Sequence, residues 1–68
     1  MTLYDVLSII SDIDKVSIHA NSGYVLFDGF KMDLNKPVKK RIIRDHLADP
    51  VDQIRSFNNT TIILLGGK

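Results

Sequence analysis

The sequence predicts an α+β domain of order α-β-β-α-β-β, with a four-stranded, mainly antiparallel sheet and the first helix packed on one face. Three observations predict it. Leu3, Val6, Leu7 and Ile10 recur at helical spacing. Lys15–Ala20 alternates apolar and polar residues and is followed by the turn residues Asn21-Ser22-Gly23. Asn58-Asn59 separates Val51–Phe57 from the β-branched run Thr60–Leu65.

The first helix is expected over Thr2–Ser11. Thr2 suits the N-cap, and Asp5, three residues on, supplies the acid of a capping box and a favourable charge near the positive helix end. Asp12 and Asp14 break the pattern and read as a turn. The later ligands and central Gly of a calcium loop do not follow them. In the next strand Val16, Ile18 and Ala20 point one way, and Ser17 and His19 the other. Tyr24–Lys31 is the return strand, with Asp28-Gly29 suggesting a bulge or a strand end.

Lys36–Leu47 reads as a second helix, capped by Asn35 and with Pro37 in its first turn. Its apolar residues form two pairs on different sides, Val38 with Ile42 and Ile43 with Leu47. Ala48-Asp49-Pro50 ends it. The second hairpin turns at Asn58-Asn59, because Asn tolerates positive φ. Its last strand is apolar on both faces, with Ile62 and Leu64 on one and Ile63 and Leu65 on the other. The expected core is Leu3, Val6, Leu7, Ile10, Val16, Ile18, Leu26, Ile62 and Leu64. Residues 1–68 form one domain, with 66–68 as a loose tail.

A chain of 68 residues buries a small core, and the absence of Cys removes disulfides and thiolate metal sites as reinforcement. Self-association is therefore expected, with Ile63 and Leu65 at the contact between copies or beneath the second helix. The absence of Cys fits a reducing cytoplasm. No secretory signal is visible, and no apolar run approaches the ~20 residues of a spanning helix.

Enzyme signals are nearly absent. His46 next to Asp45 reads as a solvated helix end, since neighbouring helical residues diverge. His19 reads as a surface histidine. No cofactor or metal pattern appears, so neither is expected. The concentrated feature is charge. Residues 36–45 hold Lys36, Lys39, Lys40, Arg41 and Arg44 against Asp45, for +4, while the chain as a whole carries +1. These five basic residues are the candidate partner-binding set. A merely solvated helix face is the plain alternative, ranked above nucleic-acid binding; among partners an acidic protein is preferred. A nucleic acid is the runner-up, because no recognised nucleic-acid motif accompanies the charge. A small phosphate-bearing ligand held between subunits by Arg41 or Arg44 is the third reading.

The segments MTLYDVLSII, VSIHA and YVLFDG, with a terminal strand like TTIILL, resemble small accessory proteins encoded by phages and prophages of Gram-positive bacteria. The resemblance covers roughly the first thirty residues and the last hairpin. It implies no catalytic residues. It implies an accessory protein acting in the bacterial cytoplasm by binding a host protein, as an inhibitor or modulator would, or a nucleic acid or a signalling nucleotide.

Overall fold

The computed structural model describes residues 1–66. It confirms the α+β class and the order of elements: α1 (Leu3–Ile9), β1 (Lys15–His19), β2 (Val25–Phe30), α2 (Pro37–Arg44), β3 (Val51–Phe57) and β4 (Thr60–Leu65). A 3-10 helix, Lys31–Asn35, precedes α2 and was not expected. It absorbs Asn35, so Lys36 takes the N-cap position of α2 without a side-chain cap bond. Lys36 is extended, as suits a residue before proline, and Pro37 opens the helix. The helix ends at Arg44, three residues short of expectation, and turns carry the chain on to β3.

The first turn of α1 leaves no donor unpaired. Asp5 donates its N–H to Thr2 Oγ1 (3.3 Å), and Thr2 donates its own N–H to Asp5 Oδ2 (3.1 Å), which is the expected capping box. The N–H groups of Leu3 and Tyr4 bond to the carbonyls of Asp49 and Leu47, each at 3.0 Å, and Val6 N–H reaches Thr2 O at 3.2 Å. The start of α1 is thus fastened to the loop between α2 and β3.

The sheet order is β2-β1-β4-β3. Both hairpins pair antiparallel, but the central β1 and β4 run parallel, so the sheet is mixed rather than mainly antiparallel. Turn residues specify pairing inside each hairpin. They do not specify how two hairpins meet. Here the connection through the 3-10 helix and α2 sends β3 to the far edge, and β4 returns into the gap beside β1. The centre thereby receives TTIILL, which is apolar on both faces. Asn58 and Asn59 adopt φ values of 50° and 62°, as the expected two-residue turn requires.

Register decides the faces. Ile18 lies opposite Phe27 on β2 and Ile63 on β4, and these residues join Leu3, Val6, Leu7, Val16, Leu34, Ile43 and Leu65 in the core under the helices. Ile63 is 0% exposed and Leu65 4%. The expected faces of β4 are therefore reversed. Ile63 and Leu65 are core residues unable to meet another copy, and Ile62 and Leu64 are the outward pair, each half-buried.

A similar reversal affects β2. Asp28 and Gly29, where a bulge or strand end was expected, pair in regular register; the bulge lies at Leu26, which the register skips, and Phe27 turns into the core in its place. Gly29 has a φ of 159°, one that L side chains rarely adopt, while a Cβ there would stand 3.4 Å from Phe27 Cζ, an ordinary contact. Ile10 and Leu26, both expected in the core, pack at its margin. Gly66, expected in a loose tail, donates its N–H to Pro50 O at 2.8 Å, while residues 67–68 of that tail lie outside the described residues.

Candidate partner-binding surface on the helical layer

The five basic residues predicted to meet a partner are all exposed on or beside α2. Lys36 pairs with Asp33 (3.4 Å). Among the described residues Lys39, Lys40, Arg41 and Arg44 form no ion pair. At 100° per residue, Lys40, Arg41 and Arg44 share one flank of the helix, while Val38 and Ile42 occupy the other. Ile43 lies between the flanks and is buried. Of the two apolar pairs expected on this helix, the packing selects Ile43 with Leu47 and leaves Val38 and Ile42 exposed.

The cationic flank borders two concavities. A shallow groove of about 210 Å³ is lined by Pro37, Lys40, Arg41 and Arg44. A cleft of about 310 Å³ separates α1 from α2. Leu7, Leu34, Ile43 and Leu47 form its apolar floor, and Tyr4, Lys31, Lys40 and Arg44 stand around it. Lys31 also binds Asp12 Oδ1 at 3.1 Å, which closes the turn after α1. That contact makes the Asp12 carboxylate structural, whereas Asp14 takes part through its backbone, its carbonyl accepting from Lys31 N–H at 2.8 Å. Sequence reasoning found Lys40 and Arg44 but missed Tyr4 and Lys31. Tyr4 sits next to the apolar stripe of α1, and Lys31 joins the cleft only through the unforeseen 3-10 helix.

His46 pairs with Asp49, not its neighbour Asp45; Nδ1 lies 2.9 Å from Oδ2. The pair borders a pocket of about 370 Å³ whose other walls are Ala20, Asn21, Pro50, Leu65 and Gly66, with no nucleophilic side chain among them. It closes the loop against which α1 begins. His19 lies on the outward face as expected, where Nε2 lies 2.8 Å from Ser17 Oγ. Among the described residues no three His, Cys, Asp or Glu side chains gather as a metal site, and no helix is long and apolar enough to cross a membrane.

Compared with family models, curated proteins and solved structures, the chain matches none.

Proposed function

We propose that the chain is a non-enzymatic interaction protein whose helical layer captures an acidic segment of a partner protein. The α1–α2 cleft carries this reading. Its apolar floor suits one bulky side chain, and the cations around it suit carboxylates on either side of that anchor. Lys40 and Arg44, with no ion pair among the described residues, keep their attraction for an incoming acid, while Lys31 is already engaged by Asp12. The exposed Val38 and Ile42 add apolar contact beyond the cleft. The phage resemblance supplies a context: a modulator or inhibitor of a host protein in the bacterial cytoplasm, working as a homo-oligomer. A phosphate-bearing ligand is the second reading, favoured by the groove of Lys40, Arg41 and Arg44.

Fluorescence anisotropy tests the proposal with a labelled peptide that places one Leu or Phe among Asp and Glu residues. A random single-stranded oligonucleotide of equal charge serves as the competitor. The peptide should bind, and replacing Lys39, Lys40, Arg41 and Arg44 together with Gln should weaken it by about tenfold or more, because several charge-assisted contacts are lost. Gln retains helix propensity, so the fold should survive. Tighter binding of the oligonucleotide, falling steeply with salt, would assign the surface to nucleic acid instead.

A further inference from the structure

Among the described residues no helix covers the second face of the sheet. The helices and the core lie on the side of Val16, Ile18, Phe27 and Ile63. The pairing register arranges the opposite face in three rows. Phe30, Lys15, Thr60 and Phe57 form the first, and Asp28, Ser17, Ile62 and Arg55 the second. Val25, His19, Leu64 and Gln53 form the third. Phe57 is 66% exposed, Val25 48% and Phe30 43%, and the half-buried Ile62 and Leu64 occupy the middle. The polar groups among them are partly satisfied within the face. Ser17 bonds with His19, and Arg55 donates to Gln53 Oε1 at 2.9 and 3.2 Å.

The row of Asp28 and Arg55 indicates what covers this face. The two side chains have opposite charge but stand on opposite edges of the sheet, with β1 and β4 between them. Three strand spacings put them roughly 14 Å apart, too far to pair within one molecule. Among the described residues Asp28 has no ion pair. A second copy brought face to face by a twofold axis parallel to the strands places β2 over β3 of its partner and β1 over β4. Asp28 then meets the other copy's Arg55 twice, and Phe30 meets the other copy's Phe57 twice. A twofold axis across the strands would instead set Asp28 on Asp28 and Arg55 on Arg55, which repel.

We infer that the open sheet face is a self-association surface, joining two copies about a twofold axis parallel to the strands through Ile62, Leu64, paired Phe30–Phe57 contacts and reciprocal Asp28–Arg55 ion pairs. This rests on the self-association part of the proposed function and leaves the helical surface free for a partner. Aligned packing of two sheets is an ordinary way to bury such a face. The footprint is roughly 500 Å² per copy, from strand spacing plus side-chain margins, below the ~800 Å² of a standard interface. The dimer therefore belongs with small, transient interfaces.

Sedimentation equilibrium of the full chain, from micromolar to millimolar, tests this with charge exchange. D28R and R55D should each raise the dimer dissociation constant by about tenfold, since each sets like charges together. The double variant D28R/R55D should return it to within about threefold of the parent, because every pair is restored with its sign reversed. Both residues are exposed, so the variants keep the fold, which circular dichroism checks. A monomer at every concentration would overturn self-association altogether. A dimer indifferent to the single exchanges, or not rescued by the double one, would keep self-association and overturn this face. A monomer whose binding to a random single-stranded oligonucleotide is strengthened by D28R and weakened by R55D would assign the face to nucleic acid.

Discussion

Ile62 and Ile63 are adjacent residues of one chemistry with different roles. Ile63 faces Ile18 beneath the helices and Ile62 neighbours Ser17 on the open face. Ile63→Ala should cost about 2–5 kcal/mol in urea unfolding, because it removes buried methylene groups and leaves a cavity. Ile62→Ala should cost about 1 kcal/mol or less when measured in dilute solution, since it empties no core. Equal costs would show that the faces are misassigned. The strand's sequence could not separate the two, because all of Ile62–Leu65 is apolar and either parity makes a plausible core. Leu26 and Phe27 posed the same problem, resolved by a bulge that no local residue type announced. Thr2, Asp5 and the Asn58-Asn59 turn were legible because their chemistry acts over three or four residues.

The element whose start was most legible is α1, and its capping box carries a pH dependence. The Thr2 backbone N–H, and after it the Thr2 side chain, hold the Asp5 carboxyl below its ordinary value of 3.8. A carboxylate whose pKa is lowered by folding contributes stability that is complete above the unfolded value and lost as pH falls through the folded one. The stability difference between the parent and Asp5→Ala should therefore be constant near neutrality and shrink below pH 3.8. Thr2→Ala should cost about 1 kcal/mol at neutral pH. Chemical unfolding at several pH values measures both, and a difference that grows on acidification would contradict the capping role. In α2, by contrast, the sequence offered two apolar pairs. The contact of Ile43 with the core chose between them, and that choice fixed which cations flank the cleft.

At the scale of the whole molecule, the helical layer and the bare sheet face carry different chemistry. One is cationic around an apolar cleft, and the other mixes apolar residues with the separated Asp28 and Arg55 and with Lys15, whose Nζ stands 5.4 Å from the Phe30 ring centroid. The basic set was legible because it is contiguous in sequence. The open-face rows were not, since they require the parallel meeting of β1 and β4 and the register of all four strands. We assign the two sides to different associations, the helical layer to an acidic segment and the sheet face to a second copy. A dilution series of backbone amide NMR spectra, run from millimolar to micromolar concentration, tests this assignment most directly. Concentration-dependent shifts should gather at Ser17, Asp28, Arg55 and Ile62, leaving Lys39–Arg44 unmoved. Titrating in the acidic peptide should then move Lys39–Arg44 and the lining of the cleft. Dilution shifts centred on α2, or peptide shifts centred on the sheet face, would contradict the account.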